Sequence, residues 1–262
     1  MNGLDYNEPV RICEKCGCPV QKDIKILNSI KRVPVICPCR KEALNKKAIE
    51  DENKEKQYRL QRVFKASLMD EKFTRCTFEA WDHNQGSEKI YKVCSKYTNN
   101  FKAIKEKNIG LFIYGKPGNG KTYSVSCIAN ALLGKGVPVI CVGINQLLSR
   151  IKESYNKYGH EAESDILKAL ANADLLIIDD LGTEQENEWS QSRIYSIIDA
   201  RYRNELPLIV TTNIDIKELE KRYPTRTFDR LKEMCTPVLN DMDSVRRGNG
   251  IEKTSLLKEL LG

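Results

Sequence analysis

No apolar run in these 262 residues approaches the ~20 needed to cross a bilayer as a helix. The amino terminus, MNGLDYNEPV, has an early acid and no apolar h-region, so no secretory leader is read. Together these two absences predict a cytoplasmic protein without a membrane role. Histidine is scarce: His83 and His160 lie far apart in polar stretches and read as solvated residues without partners. There is no internal repeat, and Lys and Arg form no single block, so composition alone marks no nucleic-acid surface. The two tryptophans, Trp81 and Trp189, read as packing residues rather than base-stacking platforms. The cysteines are not spaced as a disulfide scaffold. Five of the ten crowd into residues 13 to 39, and Cys76, Cys94, Cys127, Cys141 and Cys235 sit in apolar contexts, as small buried hydrophobes would.

What the chain does have is 40% hydrophobic and 30% charged residues, enough for one sizeable core and something smaller, with a net charge of +7 compatible with an anionic partner. Composition suggests three regions. Residues 1–40 are Cys-rich. Residues 41–71 are dense in Lys, Glu and Gln, with no Gly or Pro, and read as a solvated helical connector. Residues 72–262 alternate apolar strands with amphipathic helices. Strands are expected at 109–114, 137–142, 174–179, 207–212 and 236–239, and helices near 120–133, 144–157, 164–172, 188–204 and 215–222. Such alternation predicts an α/β domain with a five-stranded parallel sheet covered on both faces.

The first of these strands runs into GKPGNGKT, residues 115 to 122, a full G-x-x-x-x-G-K-[ST] between a strand and a helix. Gly115, Gly118 and Gly120 let the backbone wrap phosphates, with Lys116, Pro117 and Asn119 completing the loop. Lys121 is expected on the β and γ phosphates and Thr122 on Mg²⁺, with ATP as the nucleotide. The apolar run Leu175–Ile178 then ends in two adjacent acids, Asp179 and Asp180. On a strand beside the P-loop strand, Asp179 would serve the Mg²⁺ shell and Asp180 would orient and polarise the attacking water. Glu184 reads as a loop acid, and as a second candidate base. Asn213, after the apolar run ending in TT, is placed either to begin a turn or to hydrogen-bond the lytic water or the γ-phosphate.

GLFIYGKPGNGKT, ADLLIIDDLGTE, IIDARYRNELPLIVTTN and RTFDRLKEMC, in this order, resemble the AAA+ ATPases of the DnaC/DnaI-type helicase loaders, with the transposition ATPase IstB a close relative. The resemblance spans about residues 72 to 250. It implies a P-loop AAA+ fold, Asn213 as sensor 1, and Arg230 as an arginine finger acting on a neighbouring subunit, with Arg226 as the second candidate. It implies Arg246 as sensor 2, with Arg247 beside it. Its implied partners are a DnaB-like replicative helicase, single-stranded DNA, and either copies of itself or the helicase ring on which it assembles. Only about 23 residues follow the last expected strand, fewer than a full AAA+ helical lid requires.

CEKCGC at 13–18 and CPC at 37–39 form two Cys turns separated by a hairpin-sized stretch, the pattern of a zinc ribbon. Cys13, Cys16, Cys37 and Cys39 are the expected Zn²⁺ ligands, with Cys18 spare. DnaI-type loaders carry a similar module that contacts the helicase. Three functions follow: an ATP-hydrolysing helicase loader, an IstB-like transposition ATPase, or an adaptor gated by nucleotide binding with incidental hydrolysis.

Overall fold

The computed structural model describes residues 9–26, 29–64, 73–158 and 160–261. The chain divides into two compact units, Met1–Asn53 and Lys54–Gly262. Helix α1, Pro38–Phe64, runs through the junction between them. It includes the polar connector expected from the sequence, and residues 65–71 of that connector lie outside the described residues.

The first unit is built on a hairpin, β1 (Gln21–Ile26) paired antiparallel with β2 (Ser29–Pro34). Cross-strand partners share a face, and the Asp23–Arg32 pair uses this register to close an ion pair at 2.8 Å. The Arg32 guanidinium holds the Asp23 carboxyl below its usual range. Little apolar surface is buried among its described residues: Cys37 is the buried hydrophobic one, while Ile12, Ile26, Ile30 and Ile36 are exposed.

The second unit holds a five-stranded sheet of β3 (Gly110–Tyr114), β4 (Val139–Gly143), β5 (Leu175–Asp179), β6 (Leu208–Thr212) and β7 (Cys235–Leu239), in the spatial order β4-β5-β6-β3-β7 and parallel throughout. The strands fall within two residues of those expected. Strand β5 shows why a parallel strand reads as a continuous apolar run. Leu175 and Ile177 point into the core on one face, and Leu176 and Ile178 into the core on the other. Helices α2 (Glu88–Asn99) and α4 (Lys121–Gly134) cover the first face. Helices α5 (Ile144–Tyr158), α6 (His160–Asn172), α7 (Glu188–Arg203), α8 (Ile216–Arg222) and α9 (Thr225–Met234) cover the second. All five scattered cysteines are buried in these cores, as expected.

One expectation is corrected. Strand β5 is not beside the P-loop strand β3, because β6 lies between them. The acids at the tip of β5 therefore reach Thr122 across the end of β6, and the residues that close β6 become part of the site.

Four helices escaped the sequence reading. Helix α2 has Ser87 as N-cap and buries Ile90, Cys94, Tyr97 and Thr98, a helical stripe. Short α3 (Phe101–Glu106) follows it. Helix α9 buries Thr227, Phe228, Leu231 and Met234 in only ten residues. Helix α10, Val245–Leu261, is the single helix after β7 among the described residues.

Candidate functional site

The P-loop fold follows from its glycines. Gly115 has φ +145°, and a side chain there would strike the Asn240 carbonyl at 2.1 Å, so only glycine lets the loop lie against the exit of β7. Gly120, at φ +90°, turns the chain into the first turn of α4. The loop is pinned from outside by a reciprocal pair. Asn119 Nδ2 donates to the Asn240 carbonyl at 2.7 Å, and Asn240 Nδ2 donates back to the Asn119 carbonyl at 2.9 Å. The first amide of α10, Val245 N–H, donates to the Gly118 carbonyl at 3.0 Å. Lys121 is folded into the concavity of the loop. Its ammonium donates to the carbonyls of Gly115 (2.8 Å) and Lys116 (2.7 Å) and to Asn119 Oδ1 (3.1 Å). An incoming phosphate would compete with these neutral acceptors for a full positive charge.

The loop forms one wall of a cavity of about 470 Å³, a size suited to a nucleotide. Pro117, Gly118, Asn119, Gly120, Lys121 and Thr122 of the loop line it together with Asp180 and Asn213. Phe73, Trp81 and Tyr123 add an apolar, aromatic part to the lining. Trp81 is a packing residue as expected, buried against Tyr91 and Tyr123, and its place on the cavity wall was not read from the sequence. Trp189 packs edge-on against Tyr155, far from this wall in sequence and absent from the lining.

The two acids differ sharply. Asp179 is buried, with Thr122 Oγ1 donating to its Oδ2 at 2.9 Å and Thr211 Oγ1 donating to its Oδ1 at 2.5 Å. Burial raises its pKa above the ordinary carboxylate value, against the two hydroxyl donors and with the help of the neighbouring Asp180 charge. A carboxylate that is buried, short of cations and hydrogen-bonded to the P-loop threonine fits a divalent cation between the two, since both are hard oxygen donors. Asp180 is half-buried and has φ +56°, a left-handed backbone uncommon for a residue with a side chain. Its Oδ1 accepts from Asn213 Nδ2 at 2.9 Å. The expected water-orienting acid and the expected sensor residue are thus in contact at the cavity edge.

Other expected residues fall elsewhere. Glu184 is the loop acid it was read as: it is buried, and its carboxylate accepts from Gly182 N–H at 2.8 Å and from the Tyr223 hydroxyl. It is absent from the cavity lining. Arg230 is held on its own chain by Asp199 at 2.8 Å, with its guanidinium over the rings of Tyr195 and Tyr202. Arg226 is exposed and stacks on Tyr195 at 4.2 Å. Neither α9 arginine lines the cavity of its own chain. Arg246 and Arg247 sit on α10, and their side chains lie outside the described residues. His83 is corrected: it is exposed, yet its Nδ1 contacts Glu88 Oε1 and its ring meets Tyr91 edge-on at 4.7 Å. His160 begins α6, with its side chain outside the described residues.

In the first unit, the sulfurs of Cys13, Cys16, Cys37 and Cys39 all lie within 4.8 Å of one another. This is the tetrad expected from the sequence, and Cys18 is left out of it. Cys13 N–H donates to the Cys18 carbonyl and Gly17 N–H to the Cys13 carbonyl, both at 2.8 Å, closing the first Cys turn. The Cys18 amide and the Cys39 thiol hold the Cys16 thiol down to about 6, so a thiolate forms there readily. Four soft thiol ligands on two turns around a hairpin match the donor set of a tetrahedral Zn²⁺.

The sequence profile of the IstB-like ATP binding proteins matches residues 44–252, and the chain belongs to that family. It is 32% identical over 181 residues to the replicative helicase loader DnaC of Buchnera aphidicola subsp. Baizongia pistaciae, covering 68% of this chain and 72% of the relative. It is 30% identical over 192 residues to the replicative helicase loader DnaC of Escherichia coli K12, covering 72% of this chain and 76% of the relative. In fold it is similar to a crystal structure of the DnaC helicase loader, with a TM-score of 0.56 at 22% identity over 64% of this chain and 98% of that one. A crystal structure of DnaI matches with a TM-score of 0.55 at 22% identity, over 67% of this chain and 93% of that one. These likenesses establish a P-loop AAA+ architecture.

Proposed function

We propose that this IstB-like ATP-binding protein hydrolyses ATP and uses the cycle to load a DnaB-like replicative helicase onto single-stranded DNA. The observation that carries the reading is that Lys121, Thr122, Asp180 and Asn213 line one nucleotide-sized cavity, with Asp179 behind them hydrogen-bonded to Thr122 and Asn213 holding Asp180. The similarity to DnaC loaders over two thirds of the chain supports the choice of task.

The residues divide the work as follows. The P-loop amides and Lys121 bind the phosphates and neutralise their charge. Thr122 and Asp179 would hold Mg²⁺, which when bound supplies further charge neutralisation at the β and γ phosphates. Asp180 accepts a hydrogen bond from the attacking water and polarises it toward phosphorus, while Asn213 fixes the direction of the Asp180 carboxylate. The new bond joins the water oxygen to the γ phosphorus, and the bond to the β–γ bridging oxygen breaks. Arg230 of a neighbouring copy, or of a neighbouring ATPase, would add positive charge to the γ-phosphate. In this reading Asp199 stores that arginine until a neighbour docks. Arg226, exposed on the same helix, is the second candidate, and Arg246 on α10 is proposed as sensor 2.

The Cys tetrad is proposed to hold Zn²⁺, and the first unit to contact the helicase. Residues 9–41 carry eight Lys and Arg against two acids and no aromatic residue, alongside exposed Ile12, Ile26, Ile30 and Ile36. A basic and apolar surface without stacking groups suits an acidic protein face. A tetrad in so small a unit leaves metal as its main source of stability, with zinc worth ~10–16 kcal/mol in small zinc peptides. Chelation should therefore unfold the first unit and leave ATP affinity unchanged. Elemental analysis of the purified protein, with Cys37→Ser as control, checks this, and an unaltered first unit after zinc removal would refute it. The three-way division at 40 and 71 is proposed on the change in composition along the chain.

The function is tested by measuring ATP turnover and transfer of a helicase ring to closed circular single-stranded DNA, with the Asp180→Asn variant beside the native chain. Asp180→Asn should bind ATP normally and lose ~10²–10⁴-fold in turnover. Loading that persists in this variant would favour the nucleotide-gated adaptor. Stimulation of a transposase without any loading would favour the IstB-like role.

A further inference from the structure

Thr211 and Thr212 close β6 and Asn213 follows them, and each grips the end of β5 or the two residues after it. Thr212 Oγ1 donates to the Leu181 carbonyl at 2.6 Å, and Leu181 N–H donates to the Thr211 carbonyl at 2.8 Å. Asn213 holds the Asp180 carboxylate. Thr211 does something different, because its single hydroxyl serves both acids. It donates to Asp179 Oδ1 at 2.5 Å and accepts from Asp180 N–H at 2.9 Å. The residue is fully buried, so no solvent can replace either bond. Both hydrogen-bonding capacities of the hydroxyl that matter here are in use.

The consequences are geometric. With Oδ1 of Asp179 occupied by Thr211, Oδ2 is the oxygen directed at Thr122. With its amide tied to Thr211, Asp180 keeps φ at +56°, a conformation a non-glycine residue holds only when its surroundings fix it. The interposed strand β6 makes this possible, since β5 and β3 are not neighbours and β6 is paired with both. We propose that Thr211 is a positioning residue for ATP hydrolysis, its buried hydroxyl setting both the metal-facing oxygen of Asp179 and the aim of Asp180. The proposal rests on the roles given above to those two acids.

Thr211→Val removes the hydroxyl at nearly constant volume, and Thr211→Ser restores it. Outer-shell partners of this kind typically change metal affinity or activity by about 10- to 100-fold. Thr211→Val should therefore lower kcat by about 10- to 100-fold and raise the Mg²⁺ concentration needed for half-maximal binding of a non-hydrolysable ATP analogue, while metal-free binding of the analogue is unchanged. Thr211→Ser should recover most of both losses. A merely structural role would lower the melting temperature and leave kcat and the Mg²⁺ requirement at native values well below melting, and that result would overturn the proposal. So would a serine variant as impaired as valine. If Thr211→Val does not fold, Thr211→Cys replaces it, with a weak donor of similar size and the same expected direction. Asp179→Asn and Asp180→Asn run alongside. If both hydrolyse ATP at the native rate, the reading of the site fails and the proposal falls with it. If both are impaired and Thr211→Val is not, the site stands and only the proposal fails.

Discussion

Strand β5 is bracketed by two buried carboxylates, Asp174 just before it and Asp179 at its end, and the protein treats them in opposite ways. Asp174 is paired with two ammonium groups, Lys56 from α1 and Lys105 from α3, the second at 2.6 Å. Fully buried Arg201 lies close behind, donating to the Leu170, Ala173 and Pro207 carbonyls. Burial works against the charge on Arg201, and Asp174 is the first group that counters it. At the other end, Asp179 has two hydroxyl donors and, as its nearest cation of consequence, Lys121, which is itself bound to loop carbonyls. The charge at the amino edge is matched by the chain itself. The charge at the carboxyl edge is left under-compensated, and its raised pKa is the sign of that. Open α/β sheets bind ligands at their carboxyl edges, and here the difference is visible in one residue type on one strand. The lesson is that a buried acid marks a site by what its own chain withholds from it, more than by being buried.

The largest effect is expected at the amino edge of β5. Asp174→Ala strips the counter-charge from Lys56, Lys105 and Arg201 together. Removing one partner of a buried charged group costs about 3–5 kcal/mol, so a large drop in chemical or thermal stability is expected with ATP affinity unchanged in the folded protein. A variant as stable as the native chain would show that the three cations are satisfied without Asp174. The complementary change, Asp179→Asn, should shift stability by no more than about 1 kcal/mol, because it removes a charge that burial disfavours. It should instead weaken Mg²⁺-dependent nucleotide binding. Denaturant melts and nucleotide titrations of the two variants should therefore give opposite patterns, and equal stability losses would erase the distinction.

The same contrast explains how far the sequence could be read. The P-loop was legible because phosphate binding demands glycines and a lysine at fixed spacing within eight residues. The strands were legible because burial on both faces leaves unbroken apolar runs such as Leu175–Ile178. The Cys tetrad was legible because a metal needs particular ligands at short spacing, and all four chosen sulfurs converge. What escaped was set by strand order. Nothing local to Asp179 says that β6 lies between it and the P-loop, so Thr211 looked like one more strand residue. Asn240 and Val245 support the P-loop from more than 100 residues away, through the Asn240 carbonyl and side-chain amide and the Val245 N–H, in a pairing that leaves no local sequence signature. Helix α2 was legible in principle, since Ser87 and the stripe Ile90, Cys94, Tyr97 carry the usual cap and period. The surroundings of Arg230 could not be inferred, because Asp199 and Tyr195 meet it only through the packing of α7 on α9.

The smallest expected effect is the most discriminating about the amino edge. Lys56 and Lys105 are each about one-third exposed, at 35% and 37% of their side-chain surface, whereas Asp174 is at 8%. An ion pair with a partly solvated lysine is worth at most about 1 kcal/mol, because water screens the attraction and ordering the long side chain opposes it. Either lysine alone is also backed by the other, since each ammonium takes a different carboxylate oxygen. Lys56→Ala and Lys105→Ala should thus each cost about 0.5 kcal/mol. The double variant should cost more than the sum, by about 1 kcal/mol or more, because Asp174 would then be buried with neither ammonium and would lean on Arg201 alone. A double-mutant cycle in urea measures the excess directly. Strict additivity would mean that the two lysines stabilise the edge independently of the carboxylate between them, and that the matched charge at this end of β5 is solvated rather than structural.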